Sequence, residues 1–159
     1  MRDIYQIRVS NEVKIMKIQF YHLGIVNEAE LTFAVTSAIY KGKWLYVRHK
    51  ERNTWEIPGG HREHGEPIMA TAKRELFEET GCTMADIVPI CDYSMDDSVR
   101  KIFGRLYFAH VKKMGQLPIS EIEEVNLFNQ LPEQLTYIES QPKIYEKTLA
   151  FIKQCNGTS

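Results

Sequence analysis

The stretch RELFEETG, residues 74–81, crowds Glu75, Glu78 and Glu79 into five positions. A glycine closes the stretch, and Gly81 in the left-handed conformation is a common helix stop. The acids therefore fall in the last turns of a helix, where the backbone dipole disfavours negative charge by about 0.3–1 kcal/mol. Like charges three or four residues apart add a cost of about 0.2–0.5 kcal/mol per pair. With Ile68 as the origin and 100° per residue, Glu75 and Glu79 lie about 20° to either side of it. Both thus share the stripe of Ile68, Ala72 and Leu76, while Glu78 lies at its edge. Phe77 and Ala70 fall on the opposite side, which protein could also cover. Acids facing apolar neighbours lose hydration, and Arg74 alone cannot neutralise three of them. A solvated acidic face is the plain alternative. A hard divalent cation answers the pattern better, because Mg²⁺ takes one or two carboxylates together with waters and substrate phosphates.

The elements that must position this helix are legible around it. LTFAVTSAIY (31–40) is rich in β-branched and aromatic residues and reads as a strand. Lys41-Gly42-Lys43 reads as a turn and KWLYVRH (43–49) as the returning strand. Glu51-Arg52-Asn53 is a polar loop, TWEIP (54–58) a short extended piece, and HREHGE (61–66) a loop after Gly59-Gly60. Pro67 suits the first position of a helix over about 67–80. Strand-like IVPICDYSM, KIFGRLYFAHV (101–111) and EEVNLFN (123–129) follow, with a terminal helix from Pro142 to about Gln154. The first thirty residues hold two further β-like runs, IYQIRV and VKIMKIQFY. Strands mixed with two helices indicate an α+β or α/β layered fold, and 159 residues suit one domain, 1–159.

Composition narrows the function classes. The chain is 43% hydrophobic and 26% charged, with a net charge of −1. That balance gives no field for general nucleic-acid binding and no polybasic membrane anchor. No apolar run is long enough to span a bilayer, and the N-terminus has no apolar signal core. Three cysteines without a CxxC pair argue against a disulfide framework or a zinc site. The expected setting is cytoplasmic, with a small-molecule partner, no membrane, and room for a homodimer.

The stretch from Gly60 to Cys82, GHREHGEPIMATAKRELFEETGC, resembles the box of the Nudix (MutT-like) hydrolase family. Gly60, Glu66, Arg74, Glu75, Leu76, Glu78, Glu79 and Gly81 match at the family's spacing; Cys82 stands where the family prefers an aliphatic residue. The resemblance implies an α+β fold, a mixed central β-sheet sandwiched between helices, and hydrolysis of a nucleoside diphosphate linked to another group. It implies Mg²⁺ or Mn²⁺ as cofactor. Carried over residue by residue, Glu75 and Glu79 become the main metal ligands. Glu78 becomes a further ligand, or reaches the ion through water. A carbonyl at Gly59 or Gly60 completes the shell, and Glu66 with Arg74 forms a structural ion pair. Catalysis falls to Glu78 and Glu75, or the base comes from a later loop, where Asp96, Asp97, Glu121, Glu123 and Glu124 are candidates. Arg48, in the cluster RHKER, and Arg105 could grip substrate phosphates. Trp55 and Phe103 could stack on a base or pack the core. His61 and His64 read as loop residues.

The substrate is approached by elimination. The proline, tyrosine and SQPWPFP markers of the ADP-ribose, dinucleoside polyphosphate and NADH groups lack counterparts at the right distance. A (deoxy)nucleoside triphosphate, oxidised or not, is the leading expectation. An RNA 5′ end is the alternative substrate. A nucleotide sensor without chemistry is the alternative class, disfavoured by the intact box.

Overall fold

β2 (Leu31–Tyr40) carries the core on both of its faces. Ala34 and Ala38 turn one way, toward Ile68, Ala72 and Leu76 of the first helix, α1 (Ile68–Thr80). Phe33 and Val35 turn the other way, toward Ile144 of α2 (Gln141–Gly157). Ser37 lies on that second face too, and its hydroxyl accepts from buried Thr148 of α2 at 2.9 Å. The period-two alternation of a strand thus sets one helix on each side of a sheet. Phe33 and Val35 are bulky where α2 stands, and Ala34 and Ala38 are small where α1 must approach closely.

The computed structural model describes residues 16–157. Besides β2 and the two helices, it contains β1 (Lys17–Tyr21), β3 (Lys43–His49), β4 (Gly59–His61), β5 (Cys82–Asp96), β6 (Lys101–Met114) and β7 (Ile122–Phe128). The sheet runs β1-β5-β6-β2-β3-β7, and β4 also pairs with β2. β2 and β6 are parallel; the other pairs are antiparallel, so the sheet is mixed. The fold is α+β, as expected. The expected run IYQIRV lies outside the described residues.

Several boundaries match the sequence reading. β2 and β3 coincide with LTFAVTSAIY and KWLYVRH, and Lys41 (φ 52°) with Gly42 (φ 75°) makes the tight turn between them. Gly81 ends α1 at φ 79°, donating its N–H to the Phe77 carbonyl. A Cβ there would also meet the Gln116 carbonyl at 2.8 Å, so glycine is required twice over.

Other expectations need correcting. His61 is not loop but the end of β4, in which Gly59, Gly60 and His61 pair with Val35, Ala34 and Phe33. Two adjacent glycines hide a strand from propensity, because their role here is close approach and not strand preference. Pro67 sits at the N-cap, one position before the helix, and has no capping side chain. The first free amide, that of Ile68, is instead met by the Glu28 carboxylate at 3.3 Å. β5 starts five residues before IVPICDYSM, at Cys82, and absorbs Pro89 at an irregularity in its pairing with β6. The far side of α1 is not covered throughout: Phe77 is 47% exposed.

Candidate metal centre

α1 delivers its acids as the helical period requires. Glu75 and Glu79 are buried, at 1% and 5% exposure, and face the sheet; Glu78 stands at the rim. β4 lies directly beneath them. The Gly59 amide donates to Glu79 Oε1 at 2.8 Å. A Cβ on Gly60 would fall 2.1 Å from the Glu75 carboxyl carbon. Glycine at 60 therefore leaves a backbone-walled cradle in which the Glu75 carboxylate lies.

Arg74 organises the rim. Its Nε donates to Glu66 Oε2 at 2.8 Å, and one terminal nitrogen donates to Glu66 Oε1 at 3.0 Å and to the His61 carbonyl at 2.9 Å. The other terminal nitrogen reaches Glu75 Oε1 at 2.8 Å and Glu78 Oε2 at 3.3 Å. Thr71 adds a hydroxyl to Glu66 at 2.6 Å. Glu66 and Arg74 thus form a bidentate pair that ties the loop before α1 to the helix. Held first by Arg74, the Glu66 carboxyl falls to a pKa of about 2.

The two inward acids contrast with it. Burial pushes Glu75 up to about 7, against the pull of Arg74. Burial also drives Glu79 well above the usual carboxylate range, against the Gly59 amide. Glu75 Oε2 is buried with no hydrogen-bond partner. A native fold rarely leaves a buried carboxylate oxygen bare. That bare oxygen, the raised affinities for a positive charge, and the glycine-walled cradle all fit a divalent cation. Among the described residues no three His, Cys, Asp or Glu side chains already form a cage. Arg74 holds Glu75 by Oε1 and Glu78 by Oε2, which leaves Glu75 Oε2 unclaimed.

Comparisons with known proteins bear on the family and the fold. The family profile described as the NUDIX domain matches residues 31–148. The chain belongs to the NUDIX domain family. YtkD of Bacillus subtilis (strain 168), provisionally named as an 8-oxo-dGTP diphosphatase, is 34% identical over 98 residues, 61% of this chain and 61% of that protein. The RNA pyrophosphohydrolase of Haemophilus ducreyi is 39% identical over 46 residues, 29% of this chain and 23% of that protein. The chain therefore spans about three fifths of the first relative's length and about a quarter of the second's. Among solved structures, a point mutant of the Bacillus subtilis pyrophosphohydrolase BsRppH has a TM-score of 0.75 at 24% identity, covering 87% of this chain and 90% of that one. At that identity the likeness is one of fold. No helix among the described residues is long and apolar enough to cross a membrane.

Within this NUDIX domain, the remaining expected site residues separate clearly. Arg105, expected to reach a substrate phosphate, is instead committed to Asp92: its Nε donates to Asp92 Oδ1 at 2.7 Å. Asp92 is fully buried, so releasing Arg105 would strand a charge. Arg48 pairs with exposed Glu124 at 3.1 Å, a contact that a phosphate could displace, and its half-buried guanidinium also donates to the Arg52 carbonyl. Trp55 packs edge-on to Phe128, 5.0 Å between centroids, beside an open cavity of about 660 Å³. Phe103 packs against Tyr21 and carries the Lys101 ammonium over its ring. His61 stacks edge-on to buried Phe33 and is not a free loop residue.

The later-loop acids also divide. Asp96 and Asp97 accept backbone amides of their own turn, from Ser98, Val99 and Arg100, and Glu124 holds Arg48. Glu121 is the one whose charge acts on both Glu75 and Glu79. Two participants escaped the sequence reading. Glu28 caps α1 from forty positions away, which no local signal reveals. Glu56 is a buried acid three residues before Gly59; its place in TWEIPGG, two positions before a proline, was the available hint.

Proposed function

We propose that the protein hydrolyses a phosphoanhydride bond of a nucleoside diphosphate linked to another group, with Mg²⁺ as the cation and a (deoxy)nucleoside triphosphate as substrate. The observation that carries this is the pair of buried carboxylates, Glu75 with its bare oxygen and Glu79 on the Gly59 amide. Glu75 and Glu79 would hold the cation, with Glu78 and a carbonyl of Gly59 or Gly60 completing its shell. When bound, the ion lowers the pKa of the attacking water and neutralises charge on the phosphate oxygens. The protein's own share is to place acids and exclude competing partners. Glu78, exposed at the rim, and Glu121, whose charge reaches the two inward acids, stand where a proton from water could be taken. Arg74 keeps Glu66 and the loop before α1 in place. Arg48 is the surface cation that could meet a terminal phosphate.

The likeness to YtkD supports a free nucleotide. The likeness to the Haemophilus ducreyi enzyme, and in fold to BsRppH, supports a second reading in which the triphosphate is an RNA 5′ end. Both substrates present the same group, a nucleoside 5′-triphosphate, so the cation site serves either. Incubation with Mg²⁺ and a panel of nucleoside triphosphates, 8-oxo-dGTP, ADP-ribose, nucleotide sugars, dinucleoside polyphosphates and 5′-triphosphate RNA separates them. Release of pyrophosphate or phosphate from free triphosphates supports the first reading, and release from RNA alone the second. Nucleotide binding without turnover would overturn both in favour of a sensor.

A further inference from the structure

A third buried glutamate lies beside the cation site, and neither the proposed ligands nor the ion pair of Glu66 uses it. Glu56 is 6% exposed, buried as deeply as Glu79. Its two oxygens are held separately: His49 Nε2 lies 2.6 Å from Oε1, and Arg52 donates to Oε2 at 3.1 Å. His49 ends β3 and Arg52 closes the turn after it, with the Arg52 amide donating to the His49 carbonyl at 3.1 Å. Glu56 itself exchanges both backbone hydrogen bonds with Val47, each 2.9 Å. The segment around it is braced from the far side as well. Trp55 bonds through its amide to the Gln134 carbonyl, and its own carbonyl accepts from the Thr136 amide; Thr54 and Thr136 join hydroxyls at 2.7 Å.

Three residues after Glu56 comes Gly59, whose amide orients Glu79, and then Gly60, which walls Glu75. Pro58 is anchored between them by the Thr36 amide, 2.9 Å. The path from the clamp to the cradle is therefore short, since only Ile57 and Pro58 separate Glu56 from Gly59. Glu56 is also close enough for its charge to act on Glu79, so it adds a negative charge around the cation without giving up an oxygen to it. We infer that Glu56, clamped between His49 and Arg52, is a positioning residue that holds the Gly59–Gly60 backbone, and through it Glu79, in the geometry that binds the cation. The inference rests on the metal reading proposed above. Partners one step removed from a metal's ligands are known to change affinity by about 10–100-fold when replaced.

The test uses Mn²⁺ as the probe, titrated into the intact chain and followed by the loss of the free-ion EPR signal, beside thermal melting without metal and steady-state kinetics on the best substrate of the panel. Glu56→Gln keeps shape and one acceptor oxygen but loses the charge. It is expected to bind Mn²⁺ about tenfold more weakly, to need correspondingly more metal for half-maximal turnover, and to leave KM for the nucleotide unchanged. His49→Gln, which removes one jaw at a half-buried position, is expected to shift the affinity in the same direction by less, and it serves if Glu56→Gln does not fold. Restoring the charge at shorter reach with Glu56→Asp should recover part of the affinity. Folded variants that bind Mn²⁺ as the unaltered chain does, with only a lower melting temperature, would make Glu56 a plain structural anchor and overturn the inference. If the unaltered chain itself takes no Mn²⁺, the metal reading fails first, and that outcome is distinguished by the wild-type titration alone.

Discussion

Asp92 and Glu75 are both carboxylates without access to water, on opposite elements of the same molecule, and they are treated in opposite ways. Asp92, on β5, has every side of its carboxylate met: Arg105 on Oδ1, and the Gly24 and Val26 amides on Oδ2 at 3.0 and 3.2 Å. It pins the loop after β1 and asks for nothing more. Glu75, on α1, shares one oxygen with Arg74 and leaves the other bare. Equal burial with unequal satisfaction is what sets the proposed ligand apart from a structural charge. Deep burial alone does not mark a site; a buried carboxylate oxygen without a partner is what calls for an explanation.

The sharpest way to break this comparison is to neutralise one member of each kind. Glu79→Gln is expected to cut metal-dependent turnover by about a thousandfold or more, since several kcal/mol of charge stabilisation are at stake. Its metal-free melting temperature should stay level or rise, because the amide replaces a buried acid whose ionisation the fold opposes. Equal turnover in the variant would remove Glu79 from the metal shell. Asp92→Asn should do the reverse. Urea denaturation is expected to show a loss of about 3 kcal/mol, the cost of leaving Arg105 without its countercharge, while turnover per folded molecule persists.

Metal should then act on one region only. At a hundredfold excess over its dissociation constant, Mg²⁺ is expected to stabilise the chain by about 2.7 kcal/mol. Asp92→Asn should keep that increment and Glu79→Gln should lose most of it, read by denaturant midpoints with Mg²⁺ and with EDTA.

The smallest effect is in the pH dependence of the metal-free protein. Glu75 is raised from an ordinary 4.5 to about 7, so the folded state holds its proton where the unfolded chain has released it. Stability from this residue is therefore greatest below about 4.5 and declines as pH rises toward 7, with Glu79 extending the decline higher. Glu66 runs the other way: held at about 2, it stabilises above the ordinary carboxylate value and is lost only in strong acid. Midpoints at pH 5, 6, 7 and 8 in EDTA should fall, and saturating Mg²⁺ should flatten or reverse the slope. A flat profile in EDTA would mean that the two acids are better hydrated than the structure indicates.

Much of this was legible along the chain because it depends on local period and local backbone. The direction of Glu75 and Glu79 follows from 100° per residue, the stop at Gly81 from its freedom to take positive φ, and β2 and β3 from their β-branched and aromatic content. The Glu66–Arg74 pair was implied by the resemblance to the Nudix box and is present in the structure. What stayed hidden depends on partners distant in sequence. Arg105 looked free until β5 set Asp92 beside it. His61 looked like loop until Phe33 paired with it. Glu28 and Glu56 look like ordinary acids until a helix end, a histidine and an arginine are folded against them.

By itself, then, the sequence determined the helix that carries the carboxylates, its end, the strands around it and the family to which the chain belongs, because each is written in spacing and short-range conformational preference. Only the tertiary structure decided which acids are satisfied and which are left waiting, since satisfaction is a matter of what the fold brings within about three ångströms of an oxygen, and that is set by packing across the sheet.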